Sequence, residues 1–321
     1  MEHLNTSSLI RLKNEQNYFF PKYFKHLVKS SLKVEPLTGV LGAQVSGVDL
    51  KSDLDKELIA LLRENICEFE VLVIPNQNLT PKEQVEFSHF LGPYSPVPFV
   101  KPIDENAEVI KVVKEKTEPE AFNFGGVWHS DFSFLPIPPA FTILYAIDVP
   151  PTGGDTVWAS TTTAYSQLDT KTQTLLNGMI GIHSASASYS PDQQELHSQL
   201  SNMTIETSEK AEATQEHPLV CKHPETGKPS LFFNPTYVRG LKGPELKTQE
   251  EEENLMKWLN QWTTGIQFTF RHRWSPGDLV IWDNRSTQHI ALNDYKGARR
   301  ELNRTTASDS LAPSPYQNGT K

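Results

Sequence analysis

Apolar residues fall mostly in short runs, bounded by glycine and proline, and only rarely at helical spacing. Segments 108–114, 141–148, 155–159, 230–234, 266–273, 278–283 and 300–306 read as strands, as do the alternating, glycine-punctuated residues 39–50. Glu70-Val71-Leu72-Val73-Ile74-Pro75 is a continuous apolar run stopped by proline, the pattern of a strand buried on both faces. Helical periodicity predicts a helix over 54–66, with Leu58, Leu61 and Leu62 on one face. Thr80-Pro81-Lys82-Glu83 has a capping threonine, proline at the first helical position and glutamate three residues after the cap, so a helix runs from there to Gly92. Thr248-Gln249-Glu250-Glu251 opens another, amphipathic through Leu255, Trp258 and Leu259. Many short strands with Gly/Pro turns and few helices predict a mainly β fold with flanking helices, a sandwich or barrel.

Three segments stand outside this pattern. Residues 1–33 carry six basic residues against Glu2 and Glu15, interleaved with Phe19, Phe20, Tyr23 and Phe24, and read as a peripheral N-terminal arm. Residues 186–216 are rich in Ser, Gln, Glu and Thr and are long for a passive connection, so a mobile lid over a site is expected there. From Ala307 to Lys321 the chain is small and polar and reads as a flexible tail. Residues 34–306 remain as a single domain.

Composition narrows the class. The chain has 321 residues, 37% of them hydrophobic and 21% charged, the balance of a globular protein with a sizeable core. Its net charge of −9 opposes a polyanionic partner, so no nucleic acid is expected. Nor is a membrane, since no apolar run reaches about 18 residues. Cys67 and Cys221 are too few for a disulfide scaffold or a cysteine-based zinc site and suit core positions in a reducing compartment, making the cytoplasm the expected location. The ten histidines are the main metal-capable resource.

Among them, His129 in Trp128-His129-Ser130-Asp131 lies two residues from a carboxylate. On an extended chain the two side chains share a face and can meet one cation. Alone, such a pair is an ordinary loop histidine beside an acid. With a second histidine, His289, from a distant segment, the set becomes two imidazoles and one carboxylate, the facial triad of non-heme Fe(II) oxygenases, with positions left for a co-substrate and O2. Zinc fits less well, because catalytic zinc sites usually keep one open position. Arg300 follows eleven residues after His289 and Arg304 four later, so on a strand both face one cavity while Arg299 and Asn303 face away. A guanidinium pairs in bidentate fashion with a carboxylate, suiting Arg300 to the far end of a dicarboxylic co-substrate.

His129-Ser130-Asp131, Gly153-Gly154-Asp155-Thr156, Trp282-Asp283-Asn284-Arg285 running into His289, and Arg300 with Arg304, in that order, resemble the taurine dioxygenase family of Fe(II)/2-oxoglutarate enzymes. The resemblance spans about Val34 to Thr306. It implies a double-stranded β-helix (a cupin-like jelly roll), with His129, Asp131 and His289 as iron ligands, Thr156 and Arg300 as anchors of 2-oxoglutarate, and Arg304 as the grip on a substrate anion. It implies hydroxylation of a small organic acid, with O2 consumed and succinate and CO2 formed. Oligomers are common in the family, so a homo-oligomer is among the expectations. Where the taurine enzyme has a His-Pro-Val-Tyr run that touches substrate, this chain has Val97-Pro98-Phe99-Val100, and the place of a substrate-binding asparagine falls on Gly125. Val97, Val100 and Gly125 would present a more apolar wall to taurine's ammonium, a costly pairing. Tyr237 stands where the family pocket has an aromatic. The expected substrate is therefore a more apolar sulfonate, sulfate ester or carboxylate. A 2-oxoglutarate oxygenase of secondary metabolism or aryloxy-acid breakdown is the alternative within the class, and a non-catalytic jelly-roll sensor the alternative outside it. His217 and His223 read as structural, His272 as surface or pocket rim, Asp283 and Asn284 as shapers of the turn before His289, and Trp128 and Trp282 as packing.

Overall fold

A computed structural model of the chain describes residues 32–317 except 53 and 120–122. The expected N-terminal arm, up to residue 31, lies outside the described residues. The strands are β1 (Lys33–Pro36), β2 (Ala43–Ser46), β3 (Val71–Ile74), β4 (Ile110–Lys114), β5 (Phe141–Asp148), β6 (Thr156–Ser160), β7 (Ile180–Ser184) and β8 (Thr214–Pro218). They continue as β9 (Val220–Lys222), β10 (Pro229–Leu231), β11 (Val238–Lys242), β12 (Thr269–His272), β13 (Leu279–Asp283), β14 (Thr287–Ala291) and β15 (Arg300–Ala307). The helices are α1 (Lys56–Phe69), α2 (Pro81–Leu91), α3 (Thr161–Ser166), α4 (Thr170–Leu176), α5 (Ser186–Tyr189), α6 (Gln194–His197) and α7 (Gln249–Thr263). Both α2 and α7 start at the capping boxes read from the sequence, with Thr80 and Thr248 as caps.

A seven-stranded sheet in the order β1-β2-β3-β13-β5-β15-β4 forms one wall. The sheets β12-β6-β14, β11-β7-β8 and β10-β9 complete a jelly roll. The period of two along the large sheet explains its two apolar faces. Val71, Val73, Leu144, Ala146, Val280, Trp282 and Leu302 point inward against Trp158, Phe270 and Trp274 of the opposite sheet or its edge. Leu72, Ile74, Ile143, Tyr145, Leu279 and Ile281 point the other way, under Leu58, Leu62 and Ile66 of α1 and Phe87 and Leu91 of α2. Burial on both faces is why β3 and β13 are apolar without alternation. No helix among the described residues is long and apolar enough to cross a membrane.

Two segments differ from expectation. Residues 186–216 form a wall of short helices with an apolar seam of its own. Tyr189, Met203, Ile205 and Ala211 pack with Val100, Ile110, Val113 and Tyr237, burial that the polar composition of the segment conceals. Beyond Thr306, where a flexible tail is expected, Ala307 completes β15 and the chain to residue 317 then runs along β9, while residues 318–321 of the expected tail lie outside the described residues. Lys222 N donates to Ser314 O at 2.9 Å, Tyr316 N donates to Val220 O at 3.0 Å, and Asp309 accepts from Arg285 at 2.7 Å. Backbone pairing and one ion pair hold what sequence polarity suggests is loose.

Candidate active site

The metal-capable set is assembled by backbone pairing. His129 N donates to His289 O at 2.9 Å and His289 N to His129 O at 2.8 Å, a two-residue antiparallel bridge that sets the imidazole centroids 4.1 Å apart. Ser130 Oγ donates to Thr287 O at 2.6 Å, so the His-Ser-Asp segment is stitched to the start of β14. One donor atom each of His129, Asp131 and His289 lies within 4.8 Å of the others, and all three residues are buried. His129 Nδ1 faces Val127 O at 2.8 Å; as a donor there it leaves Nε2 with a lone pair, 3.6 Å from Asp131 Oδ1.

Asp131 is positioned from below. Its Oδ2 accepts from Thr142 Oγ1 at 2.7 Å, and its backbone N donates to Asn284 Oδ1 at 3.3 Å. Asn284 is fixed in turn, accepting from Trp282 Nε1 at 2.9 Å and donating Nδ2 to Thr142 Oγ1 at 2.8 Å. Asn284 therefore does more than shape the turn before His289: it links that turn to the carboxylate. Burial works to raise the Asp131 carboxyl, but Arg304, His289 and His129 outweigh it and hold the group far below the usual carboxylate range. Burial pushes the His289 imidazole well below its ordinary value, and His129 beside it adds to the effect. An ionised carboxylate with neutral imidazoles is the protonation state a metal needs. The donor set fits a divalent ion: two imidazoles and the Asp131 carboxylate, whose Oδ1 faces the imidazoles and Arg304, and among the described residues no fourth protein ligand closes the set off from the cavity.

Deeper in the roll, the strand pairing of β6 and β15 with their neighbours brings Thr156 and Arg300 together. Arg300 Nε donates to Gly154 O at 2.9 Å and Nη2 to Thr156 Oγ1 at 3.4 Å, with the guanidinium 5.9 Å from the Trp274 ring. Trp274 Nε1 also donates to Thr156 Oγ1, at 3.0 Å. Gly154 sits at φ +70°, and a Cβ there would stand 3.1 Å from Arg300 Cδ, so the turn glycine makes room for the arginine. Among the described residues no carboxylate is in ion-pair range of Arg300, and burial lowers it to about 10. A buried guanidinium in this state could receive an anion.

Arg304, four residues on, lies on the same strand face. Its Nη1 is 3.4 Å from Asp131 Oδ1 and its guanidinium 4.6 Å from the Phe132 ring, while Nε and Nη2 are buried without a hydrogen-bond partner. Arg299 faces away, as the alternation requires, to Glu115, Asp148 and Glu301.

A cavity of about 150 Å³ opens over this centre, lined by His129, Asp131 and Arg304 with apolar walls from Phe124, Phe132, Tyr189, Leu196 and Tyr237. Gly125 is in that wall at φ +74°, where a Cβ would come 3.3 Å from His129 Cε1. Val97 and Val100, expected at the wall, do not line the cavity. Val100 bridges to Ile205 and both valines pack in the apolar cluster behind Tyr189 and Tyr237, so the 186–216 segment supplies the surface expected of them. Phe132, Tyr189, Leu196, Thr142 and Asn284 were not legible as site residues. Only the adjacency of Phe132 to Asp131 could have drawn notice.

Three other histidines are tied into structure. His217 Nε2 faces Leu135 O at 2.9 Å, and His272 Nε2 faces Asp278 at 3.0 Å, half-buried on β12. His223, Asp283 and Cys67 form a second group with metal-like spacing. There His223 Nδ1 accepts from Glu225 N and Thr226 N, its Nε2 donates to Asp283 at 3.0 Å, and Arg285 engages both carboxylate oxygens. Burial, with Asp283 and Glu225 nearby, pushes the Cys67 thiol up to about 12. With its lone pairs engaged and its thiol protonated, this group is an ion-pair brace.

Residues 33–306 match the family described as Taurine catabolism dioxygenase TauD, TfdA family. The chain is 33% identical over 283 residues to an alkylsulfatase of Acinetobacter baylyi, spanning 87% of this chain and 86% of that protein. It is 30% identical over 288 residues to an alpha-ketoglutarate-dependent sulfate ester dioxygenase of Pseudomonas putida, spanning 87% and 90%. The crystal structure of a taurine dioxygenase from Burkholderia xenovorans superposes with a TM-score of 0.71 at 29% identity, spanning 90% of this chain and 97% of that one. With its jelly roll, its ordered motifs and these matches, the chain belongs to the TauD, TfdA family of dioxygenases.

Proposed function

We propose that this Fe(II)- and 2-oxoglutarate-dependent dioxygenase hydroxylates a small organic anion with an apolar body, a sulfate ester before a sulfonate or carboxylate. The observation that carries the reading is Arg304: a buried guanidinium with two unpartnered nitrogens, beside the triad and at the base of an apolar cavity. His129, Asp131 and His289 would hold the iron, and Arg300 with Thr156 the distal carboxylate of 2-oxoglutarate. Bound there, Fe(II) and 2-oxoglutarate supply with O2 the oxidising power, leaving succinate and CO2 and adding one oxygen atom to a substrate C–H bond.

The protein's own work is placement. Arg304 fixes the anion, the Phe132 ring supports its guanidinium from 4.6 Å, and Phe124, Leu196 and Tyr237 exclude water around the apolar part. Taurine is a poor fit, because among the described residues the one carboxylate in the cavity wall is Asp131, which a metal would claim. Two relatives carry sulfate-ester activity in their names, which supports that class. Hydroxylation of the carbon bearing the ester oxygen would give an unstable adduct that collapses to an aldehyde, sulfate and a proton. Aromatic walls also suit an aryloxy carboxylic acid, the second reading.

The test is a turnover screen of the Fe(II)-loaded protein with 2-oxoglutarate over alkyl sulfates, alkyl sulfonates, aryloxy carboxylates and taurine. Succinate formation should rise most with alkyl sulfates, with aldehyde and sulfate released in equal amounts. Taurine as the preferred substrate, or no member of the panel raising succinate, would overturn the reading.

A further inference from the structure

The connection from β14 to β15 places Tyr295 between two parts of the site that the chemistry uses separately. Its buried ring lies beside the co-substrate anchor: a Cβ at position 154 would meet Arg300 Cδ at 3.1 Å and Tyr295 Cδ1 at 3.3 Å, so the arginine stem and the ring edge both abut Gly154. The other end reaches the substrate cavity, where the Tyr295 hydroxyl donates to Asn123 Oδ1 at 3.0 Å.

Asn123 opens the segment that runs through Phe124, Gly125, Gly126 and Val127, all of which line the cavity, to His129. That segment has two glycines and two partly buried aromatics, Phe124 and Trp128; its C-terminal end is held by Thr236 Oγ1, which donates to Trp128 O at 2.8 Å, and by His129 Nδ1, 2.8 Å from Val127 O, and its N-terminal half by three further bonds. Asn123 Nδ2 donates to Ala291 O at 2.9 Å, Ala291 N donates to Gly125 O at 2.9 Å, and Gly126 N donates to Asn123 O at 2.9 Å. Ala291 is two residues past His289 on β14. The amide of Asn123 thus ties the cavity wall to the strand of one metal-capable histidine, and the Tyr295 hydroxyl ties the same amide to the Arg300 anchor.

We infer that Tyr295 and Asn123 are positioning residues that couple occupancy of the Arg300 anchor to the order of the substrate-side wall at 123–129. The inference rests on the reading of Arg300 as the 2-oxoglutarate anchor. A carboxylate bound by Arg300 fixes the guanidinium stem and, through the space both share at Gly154, the ring beside it. The ring sets its hydroxyl, and the hydroxyl holds Asn123. The coupling is reciprocal, as linkage requires: co-substrate favours the ordered wall, and a substrate that needs the ordered wall favours co-substrate.

Tyr295→Phe tests this, because it keeps the ring at Gly154 and removes only the hydroxyl. Amide hydrogen exchange of the Mn(II)-loaded protein, with and without 2-oxoglutarate and without turnover, reads the order of 123–129 directly. In the wild type, 2-oxoglutarate should slow exchange there about fivefold or more, within the usual range of coupling between sites. In Tyr295→Phe that protection should vanish while calorimetric affinity for 2-oxoglutarate stays within about twofold. Asn123→Ala should lose the same protection, and the double variant should lose no more than either single one. For whichever acid the wild type oxidises, Tyr295→Phe should raise substrate KM with a smaller effect on kcat. Wild-type protection retained in Tyr295→Phe, or absent from the wild type, overturns the proposal. So does loss of 2-oxoglutarate affinity in the phenylalanine variant, which would make Tyr295 part of the anchor itself. Failure of the substrate screen would count against the proposed substrate class and leave the exchange result to decide this one.

Discussion

Thr142→Val removes one hydroxyl from beneath the candidate metal centre and changes little else in size. Thr142 lies on the inward face of β5 and is fully buried, so no water can replace the lost oxygen. Two bonds go with it: the donation to Asp131 Oδ2 at 2.7 Å and the acceptance from Asn284 Nδ2 at 2.8 Å. A hydrogen bond to an ionised group contributes about 1.5–3 kcal/mol, and a buried amide left without its acceptor costs about 1–3 kcal/mol. The first loss also frees the carboxylate to rotate away from His129 and His289. Partners one bond beyond a metal's ligands typically account for about 10–100-fold in metal affinity, or roughly 1.4–2.8 kcal/mol. The expectation is therefore a Kd for Mn(II) about 10–100-fold weaker, measured by anaerobic calorimetry, with a lowered melting temperature in the metal-free protein. Thr142→Ser keeps the hydroxyl and should bind metal nearly as the wild type does. If Thr142→Val and Thr142→Ser both bind within about twofold of the wild type, the account of how Asp131 is positioned is wrong.

Other outcomes follow from the same geometry. Arg304→Met should weaken the organic substrate by about 2 kcal/mol or more, some 30-fold in KM, while calorimetric affinity for 2-oxoglutarate stays near wild type; an unchanged KM would remove Arg304 from substrate binding. Glu70 is buried at the C-cap of α1, and its carboxyl is raised to about 8, chiefly by burial with Asp283 adding, against hydrogen bonds from Ser160 and Thr162. Its folded value lies above the unfolded one, so its contribution to stability is full below about pH 4.5 and lost as pH rises through about 8. Glu70→Gln should accordingly gain stability over the wild type at pH 9, by about 2 kcal/mol, and much less at pH 5; equal gains at both would contradict the burial argument. Cys67→Ser should leave metal stoichiometry at one per chain, since Arg285 already engages Asp283, and loss of a metal equivalent would show the brace to be a second site.

What the sequence discloses depends on how local the signal is. The capping boxes at Thr80 and Thr248 and the double-sided run of β3 are local and sit where residue order puts them. His129, Asp131, His289, Arg300 and Arg304 were legible because their chemistry is uncommon, their order is fixed, and period two puts the arginines on one face. Thr142 was hidden because a threonine in a strand looks like any other; only the third dimension brings it under Asp131. The substrate wall was misplaced for a similar reason. The Val97–Val100 run is packed behind residues 186–216, and that segment's buried positions Tyr189, Met203 and Ile205 are scattered among polar ones without a period. Residues 308–317 looked loose because their anchors include backbone pairs with β9, which composition does not report.

The central claim is that His129, Asp131 and His289 together hold Fe(II) with room for 2-oxoglutarate to chelate it. Anaerobic absorption spectroscopy reads that arrangement directly, before O2 or any substrate is involved. Adding 2-oxoglutarate to the Fe(II)-loaded wild type should produce a metal-to-ligand charge-transfer band in the visible. Arg300→Leu should need much more 2-oxoglutarate to reach it, and Asp131→Ala should not form it. A wild type that binds both components without the band, or an Asp131→Ala variant that develops it unchanged, would contradict the account.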